Sequence, residues 1–238
     1  MSTPRLVQVR ENVLKRNDLM ARALRKRFRE AGVYVVSLVS SPGSGKTTFL
    51  EKTLLRLQPQ RKVAALVGDL ATDNDAMRLQ RTKAQVRQIT TGTICHLEAE
   101  MIESALVGWN LNELDCLFIE NVGNLVCPSS YDLGEEMRLV LTSVTEGEDK
   151  PLKYPTIFNT ADVALITKID LSAAVEIDLD ALHRSIQSVR PGMQVFEVSA
   201  KTGQGMDEWL QFLQLRIADC GLRYSTASGS ERVNPREA

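Results

Sequence analysis

Residues Ser40–Thr47 read Ser-Ser-Pro-Gly-Ser-Gly-Lys-Thr, and they directly follow the apolar run at 33–39, Val-Tyr-Val-Val-Ser-Leu-Val. The eight residues after the loop, 48–55, favour a helix. A strand that runs into a glycine-rich loop and then a helix turns successive backbone N–H groups toward a phosphate, at the positive end of the helix dipole. The stretch therefore predicts a nucleoside triphosphate site within an α/β fold.

The side chains of this loop have distinct expected roles. Lys46 is expected to reach the β- and γ-phosphates, and the Thr47 hydroxyl is expected to ligate Mg²⁺. Ser40 stands where the usual pattern has its first glycine. The nucleotide-binding residues predicted in the loop are Gly43, Ser44, Gly45, Lys46, Thr47 and Thr48, with Lys46 also catalytic.

Length and composition narrow the class of protein. A chain of 238 residues fits one large α/β domain, and its formal net charge of −1 gives no general attraction to nucleic acid or an anionic membrane. No segment resembles a signal peptide or a membrane span, so we expect a cytoplasmic protein with reduced thiols. In that setting a cysteine beside a histidine is a metal-ligand candidate. The cysteines are Cys95, Cys116, Cys127 and Cys220.

Apolar runs of strand length alternate with helical patterns along the chain. Runs that are apolar on both faces and followed by helices predict a mainly parallel sheet covered by helices on both sides, as in P-loop NTPases. The predicted strands are 35–39, 63–67, 86–89, 117–119, 163–167 and 195–198. The predicted helices lie around 47–57, 74–82, 97–107, 134–143, 178–188 and 206–217.

The two ends of the chain differ from the middle in composition. Residues 1–32 predict a basic helix that packs on or flanks the nucleotide domain and ends near Gly32; its arginines form a solvated face or, alternatively, an RNA or anion site. The nucleotide and metal domain is expected at 33–220. The polar residues 221–238 predict a disordered tail.

Two further motifs indicate which base is bound. Thr167-Lys168-Ile169-Asp170 and Ser199-Ala200-Lys201 each end a predicted strand. They resemble the base-binding elements of P-loop GTPases, in which the aspartate accepts hydrogen bonds from guanine N1 and N2. A carboxylate held there at Asp170 would also repel the acceptor edge of adenine. Guanine is therefore the predicted base. The residues expected to bind it are Thr167, Lys168, Asp170, Ser199, Ala200 and Lys201.

Carboxylates at neighbouring strand ends predict the cation and switch positions. Asp69 and Glu120 are the candidates to hold Mg²⁺ together with Thr47. Gly123 could turn its N–H to the γ-phosphate. Asp75 is a candidate to orient the attacking water, although Asp73 and Asp75 could equally cap a helix. No glutamine is placed to orient water, so we expect slow hydrolysis unless dimerisation or a partner accelerates it.

A second group of residues suggests a softer metal. His96 follows Cys95, and Cys127 comes seven residues after Glu120. Thiolate and imidazole ligands suit Zn²⁺ or Ni²⁺, whereas two buried cysteines and a structural histidine are the plainer interpretation. Three ligands leave a site incomplete, and a two-fold homodimer would complete it. Cys127 is also joined to the segment that would sense the γ-phosphate.

Together these segments resemble the HypB family, GTPases that deliver nickel during maturation of nickel–iron hydrogenases. The resemblance covers roughly residues 10–215. It rests on Ser40–Thr48, Gly68–Ala76, Thr91–Ala99, Glu120–Pro128 with Asp132–Glu135, Pro151–Pro155, and Thr167–Asp170.

The resemblance implies a SIMIBI-type G domain that hydrolyses GTP to GDP and forms a homodimer with an interfacial Ni²⁺ or Zn²⁺ site at Cys95, His96 and Cys127. It also implies two partners, a second nickel chaperone and the hydrogenase large-subunit precursor. Many family members carry an N-terminal cysteine-rich or histidine-rich nickel site, which residues 1–32 lack. Nickel storage is therefore not expected. Thr167 stands where the family usually has asparagine.

Other interpretations stay open at this point. A urease-type nickel GTPase typically has a Cys-Pro-His motif, whereas here Cys95-His96 stands apart from Cys127. A nucleotide-gated scaffold could use the same three residues for structural zinc. A change of metal affinity with nucleotide would distinguish a metal carrier from a scaffold, because coupling between two sites is reciprocal. A signalling GTPase would need no thiolate beside its switch segment.

Overall fold

In the computed structural model, the described residues are 5–70 and 74–229, with side chains described for 11–70 and 74–221. Within them, seven parallel strands form one sheet in the order β3-β2-β4-β1-β5-β6-β7. The strands are β1 (Tyr34–Ser40), β2 (Val63–Asp69), β3 (Gln85–Thr90), β4 (Cys116–Glu120), β5 (Met137–Ser143), β6 (Val163–Thr167) and β7 (Gln194–Val198).

Helices connect the strands and cover the sheet. Alternate residues of β1 point to opposite faces, so Val36 and Leu38 pack with α2, α3 and α8, while Val35 and Val39 face the layer that holds α1, α4, α6 and α7. This confirms the predicted parallel sheet with helices on both sides. The helices are α1 (Arg5–Glu30), α2 (Lys46–Leu57), α3 (Asn74–Gln80), α4 (Ala99–Ala105), α5 (Lys150–Lys153), α6 (Pro155–Thr160), α7 (Leu179–Val189) and α8 (Met206–Gly229).

The basic helix α1 is packed against the sheet layer. Ala21, Leu24 and Phe28 are almost fully buried in the same apolar cluster as α4 and β4. Several arginines of α1 form ion pairs with carboxylates of the same chain. These pairs neutralise part of the positive charge of the helix without an external partner. These pairs join Arg16 to Glu100, Arg25 to Asp132 and Arg29 to Glu136.

One predicted helix is wrong. Residues 134–143 contain the central strand β5, which pairs with β1 on one side and β6 on the other. Glutamate, methionine, leucine and arginine are good helix formers, and a short apolar run cannot by itself distinguish a buried strand from a helix. All seven residues of β5 are buried. Burial between two parallel strands therefore overrides the local preference.

The C-terminal helix is longer than predicted. Residues 221–238 predict a disordered tail, yet α8 continues to Gly229. A polar composition prevents a packed core, but it does not stop a helix from extending by one hydrogen bond per residue once its first turns are formed. Residues 230–238 lie outside the described part. Neither α8 nor another helix of the described residues is long and apolar enough to cross a membrane.

Candidate functional site

The glycine-rich loop lies between the carboxyl end of β1 and the start of α2. Gly45 adopts a left-handed conformation with φ of 90° immediately before the helix, which favours glycine. The buried Lys46 ammonium donates to Ser40 Oγ at 2.9 Å, and the Ser40 hydroxyl donates to the Ser41 carbonyl at 2.6 Å. Burial lowers the pKa of Lys46, although the negative charge of Glu120 opposes this. Ser40 thus holds the lysine beside the loop.

Glu120 presents a carboxylate that fits a divalent cation. Its Oε1 accepts a hydrogen bond from Thr47 Oγ1 at 2.6 Å, while its Oε2 is buried without a hydrogen-bond partner among the described residues. Burial raises the pKa of Glu120 to about 7, against the lowering effects of Lys46 and the Thr47 hydroxyl. Thr47 and Glu120 therefore have the oxygen ligands and the unmet negative charge that a cation would satisfy.

A cavity of about 540 Å³ opens beside these groups and brings the predicted phosphate and switch residues together. Asp75 lies in the first turn of α3, whereas Asp73 lies outside the described residues. Arg78, which the sequence did not single out, also faces the cavity and pairs with Glu51 at 2.6 Å. The lining includes Lys46, Thr47, Thr48, Asp69, Asp75, Arg78, Glu120 and Gly123.

Gly123 lies directly against the phosphate loop. A Cβ atom at this position would stand 3.0 Å from Pro42 Cα and 3.1 Å from Pro42 N. Backbone atoms yield less readily than a flexible side chain, so this tight contact favours glycine. The segment that follows β4 therefore touches the loop that would hold the γ-phosphate.

A second cavity of about 220 Å³ lies beside the first, where a base would extend from the phosphates. Asp170 stands at its wall, and its Oδ1 accepts a hydrogen bond from Ser199 Oγ at 2.6 Å. The structure thus brings the two predicted guanine motifs into contact. The lining residues are Ser44, Gly45, Thr48, Phe49, Thr167, Lys168, Asp170, Leu171, Val198, Ala200 and Lys201.

The base motif is tied to the phosphate loop by two hydrogen bonds. Thr167 Oγ1 donates to the Ser44 carbonyl at 2.7 Å, and Lys168 Nζ donates to the Gly43 carbonyl at 2.7 Å. A threonine hydroxyl suffices for the first bond, so the absence of the family's usual asparagine does not separate the two motifs. The base and phosphate cavities therefore adjoin, and Gly45, Thr48 and Lys168 line both.

Sequence reasoning missed Glu146, which supports the loop from behind. Its carboxylate accepts from Ser143 N at 2.8 Å and Ser44 Oγ at 3.1 Å, and it pairs with Lys150 at 3.1 Å. Burial would raise the pKa of Glu146, but hydrogen bonds from the Ser143 backbone and the Ser41 side chain, together with Lys150, outweigh burial and lower it. The spacing of Ser143 and Glu146 is that of a capping box, and this was the available sequence signal.

The thiol and imidazole side chains lie close together at the edge of the sheet where the parallel strands have their carboxyl ends. Cys95 and His96 lie in the loop between β3 and α4, and Cys127 begins a short 3₁₀ turn after β4. The two sulfur atoms are 3.0 Å apart, and one ligand atom from each of the three residues lies within 4.8 Å of the others. The hydrogen bond to Cys127, followed by burial, raises the pKa of Cys95. Cys116 and Cys220 are buried in a different apolar cluster.

Two asparagines connect the segment after β4 to the Cys95–His96 loop. Asn121 Oδ1 accepts from Leu97 N at 3.0 Å and from Val122 N at 2.9 Å. Asn124 Nδ2 donates to the Cys95 carbonyl at 3.2 Å. The sequence motif contains both asparagines, but nothing in it predicts their partners on a loop more than twenty residues away.

A third asparagine, also missed from sequence, lies on α1. Asn17 is buried; its Oδ1 accepts from Ala99 N at 2.9 Å, and its Nδ2 donates to the Asp132 carbonyl at 2.8 Å. Ala99 follows the Cys95–His96 loop, and Asp132 follows the turn of Cys127. One side chain of α1 therefore bridges the two segments that carry the candidate metal ligands.

Comparison with known proteins bears on this arrangement. The model of the nucleotide-binding domain of the CobW/HypB/UreG family matches residues 34–197. The chain is 46% identical over 216 residues to the hydrogenase maturation factor HypB of Azotobacter chroococcum mcd 1, covering 90% of this chain and 70% of that protein. It is 43% identical over 211 residues to the hydrogenase/urease maturation factor HypB of Helicobacter pylori (strain ATCC 700392 / 26695), covering 87% and 86%.

Solved structures agree with the sequence relatives. HypB from Helicobacter pylori in complex with nickel has a TM-score of 0.81 at 42% identity, covering 86% of this chain and 96% of that one. HypB from Archaeoglobus fulgidus has a TM-score of 0.80 at 38% identity, covering 85% and 99%. FlhF complexed with GMPPNP and Mg²⁺, at 17% identity, a TM-score of 0.52 and coverage of 74% of each chain, shares the fold alone.

These matches confirm both the SIMIBI-type P-loop fold and the resemblance inferred from the motifs. Family match and coverage extend over the phosphate loop, the base motif and all three thiol and imidazole residues. The chain belongs to the HypB branch of the CobW/HypB/UreG family, the branch of hydrogenase maturation factors.

Proposed function

We propose that this chain is a GTP-hydrolysing nickel metallochaperone that inserts Ni²⁺ into the hydrogenase large subunit, with a metal affinity set by its nucleotide state. One observation carries the proposal. The segment 120–127 begins at Glu120, which accepts a hydrogen bond from Thr47 of the phosphate loop. It ends at Cys127, whose sulfur lies 3.0 Å from that of Cys95. A single short segment thus touches both candidate sites.

GTP is the proposed substrate because of the base cavity. Asp170 is held by Ser199 Oγ with its carboxylate at the cavity wall. An ionised carboxylate there accepts from the two N–H groups on the guanine edge and has no donor to offer adenine. The Lys168 side chain lies across the glycine loop, where its stem would pack on the base.

Mg²⁺ would be held by Thr47 and Glu120, with Asp69 facing the same cavity, and when bound it would neutralise charge on the transferring phosphate. Lys46 would leave Ser40 for the β- and γ-phosphates. Asp75 would orient the attacking water at the mouth of the cavity. Within the described residues, no glutamine lines this cavity, which supports slow hydrolysis by the isolated chain.

The switching step follows from the contacts of the segment 120–127. A γ-phosphate that accepts the Gly123 N–H would fix this segment against the loop at Pro42. Asn121 and Asn124 would pass the displacement to the Cys95–His96 loop, while the chain itself carries it to Cys127. Hydrolysis would release the segment, change the ligand geometry and lower the affinity for Ni²⁺.

Nickel is proposed as cargo at Cys95, His96 and Cys127. Two thiolates and one imidazole form a donor set that suits Ni²⁺ or Zn²⁺ and leaves coordination positions open. A second copy of the chain across a two-fold axis could complete the site. The related Helicobacter pylori HypB was solved in complex with nickel. A second nickel chaperone and the hydrogenase large-subunit precursor are the proposed partners, in the cytoplasm.

The test is the Ni²⁺ affinity of the full chain loaded with GDP and then with a non-hydrolysable GTP analogue. We expect a several-fold difference in wild type and none in Cys127→Ala, while guanine affinity stays unchanged in the variant. Cys116→Ala, which alters a thiol buried away from the site, is the matched control. Equal affinities in both nucleotide states of wild type would refute gated delivery and leave a GTPase with a constitutive metal site.

A further inference from the structure

The two ring nitrogens of His96 have different surroundings. Nε2 lies 3.3 Å from Oε1 of Glu98, whereas Nδ1 is buried and has no hydrogen-bond partner among the described residues. An ionised carboxylate can only accept hydrogen bonds, so this contact places the ring proton on Nε2. Nδ1 then carries the lone pair.

We propose that His96 binds its metal through Nδ1 and that Glu98 is the positioning residue that selects this tautomer. The inference rests on the metal-binding role proposed above and adds the ligand atom and its support. Glu98 acts through the ring, because no oxygen of its carboxylate joins the ligand atoms that lie within 4.8 Å of one another. A carboxylate that fixes a histidine in this way also makes the imidazole a stronger donor.

The position of Glu98 on α4 supports this role. Glu98 is the N-cap residue of the helix, yet its side chain makes no capping hydrogen bond. Glutamate is not a preferred N-cap residue, since short oxygen-bearing side chains reach the first N–H groups better. The first N–H of the helix, that of Ala99, is satisfied by Asn17 from α1. The carboxylate of Glu98 is therefore free to face His96.

Tyr131 restrains the same ring from its face. Its ring centroid lies 4.0 Å from that of His96, with 33° between the planes. The Tyr131 carbonyl accepts from Arg138 Nη2 at 2.7 Å, and Arg138 pairs with the buried Glu135. Edge contact with Glu98 and face contact with Tyr131 orient the imidazole before a metal arrives, which lowers the cost of binding.

A second histidine of the chain serves as an internal control for this arrangement. This histidine, His183, also directs Nε2 to a carboxylate, that of Glu197 at 2.7 Å. No thiol joins it in a metal-binding group within the described residues. His183 should therefore show the same tautomer preference without any response to metal.

The ligand atom can be tested on the full chain labelled with ¹⁵N-histidine, with Zn²⁺ as a diamagnetic probe and two-bond ¹H–¹⁵N spectra as the readout. We expect Zn²⁺ to shift the Nδ1 resonance of His96, to leave its Nε2 protonated and to leave His183 unchanged. A shift of Nε2 with the proton on Nδ1 would overturn the inference. If Zn²⁺ protects both thiols from alkylation but shifts neither ring-nitrogen resonance of His96, the inference is also wrong, whereas the metal-binding proposal stands. Zn²⁺ that protects no thiol would overturn both.

The role of Glu98 is tested by Ni²⁺ affinity in two variants. Glu98→Ala should bind Ni²⁺ about 10- to 100-fold more weakly, and its His96 ring, no longer fixed by the carboxylate, should show a mixture of the two tautomers in the metal-free spectrum. Glu98→Gln can present either its oxygen or its N–H to Nε2, so it should weaken Ni²⁺ binding and move part of the ring proton to Nδ1. Glu103→Gln, on the exposed face of the same helix, should match wild type. Wild-type Ni²⁺ affinity in Glu98→Ala would refute the proposal; if that variant fails to fold, wild-type Ni²⁺ affinity in Glu98→Gln with the His96 proton on Nδ1 would refute it.

Discussion

The nucleotide cavities and the thiol cluster are built in opposite ways. The phosphate loop is one continuous stretch whose backbone forms the site, and the hydrogen bond from Lys46 to Ser40 lies within it. The cluster of Cys95, His96 and Cys127 depends on two separate loops, positioned by asparagines from α1 and from the segment after β4. Local sequence therefore determines the first site, whereas the second depends on tertiary contacts.

The two sites should consequently fail in different ways. Loss of a group in the nucleotide cavities should weaken nucleotide binding directly and leave the thiol cluster in place. Loss of a connecting side chain should leave both sites able to bind and remove only their mutual influence, which is a smaller free energy.

Lys46→Ala should give the largest effect. Removing the cation that would contact the β- and γ-phosphates should reduce the GTP hydrolysis rate about 100- to 1,000-fold, because no other described group can replace its position in the loop. Single-turnover hydrolysis measures this. Ni²⁺ affinity with GDP should remain near wild type. Lys62→Ala, an exposed lysine before β2, is the control. Hydrolysis at more than a tenth of the wild-type rate would contradict the role assigned to Lys46.

The free energy of unfolding of Glu120→Gln tests whether the buried Glu120 carboxylate carries an uncompensated negative charge in the phosphate cavity. In the metal-free chain the folded-state pKa of about 7 lies above the ordinary 4.5, so folding favours the protonated carboxyl. Its stabilising contribution is complete below pH 4.5 and is lost as the pH rises through 7. Above that range the variant should exceed wild type by about 3 kcal/mol in free energy of unfolding.

Urea unfolding of both proteins between pH 5 and 8 gives this difference. Glu208→Gln, an exposed glutamate on α8, should show no such dependence on pH. Mg²⁺ with GDP should abolish the advantage of Glu120→Gln, because a bound cation favours the ionised carboxylate. A constant difference across the range would show that Glu120 ionises normally.

Asp170→Asn changes the base that is accepted. Its amide keeps an oxygen for the N1 proton but presents N–H to the 2-amino group of guanine, so GTP affinity should fall about 10- to 100-fold. Xanthine has an oxygen at that position, and xanthosine triphosphate should bind the variant better than GTP does. Competition against a fluorescent nucleotide measures both. Asp180→Asn on α7 is the exposed control, and unchanged GTP preference would refute base selection by Asp170.

Asn121→Ala should give the smallest effect and the most informative one. It removes the bonds to Leu97 N and Val122 N, so the ratio of Ni²⁺ affinities between the two nucleotide states should shrink by a few-fold toward one. Affinity for each ligand alone should change less than the ratio does. Asn112→Ala, at an exposed position before β4, is the matched control. An unchanged ratio would show that the coupling runs through Asn124 or through the direct chain connection to Cys127, without Asn121.

The sequence predicted the sites unevenly, for physical reasons. Loop, base motif and strand-end carboxylates follow from local backbone geometry, and the structure places them around two adjoining cavities. Cys95, His96 and Cys127 were found by residue chemistry and family resemblance. Asn17, Glu98 and Tyr131 could not be found in either way, because each acts through a contact that exists only after folding.

The fold shows the same division. Six strands were predicted from apolar runs, but β5 was predicted as part of a helix because its residues prefer that conformation locally. Its location beside β1 is decided by long-range pairing. The length of α8 was likewise not visible from composition. What was missed in each case depends on neighbours distant in sequence.

The bridge formed by Asn17 has a consequence for where this protein should be cut. The family match begins at residue 34, and a minimal domain drawn from it would omit α1 altogether. Such a fragment would retain every residue of the phosphate loop together with Cys95, His96 and Cys127. It would nonetheless lose the side chain that joins Ala99 to Asp132, and with it the cap of the helix that follows His96. The boundary of the family match and the boundary of the candidate metal site are therefore different, and fragments intended for metal studies should retain α1.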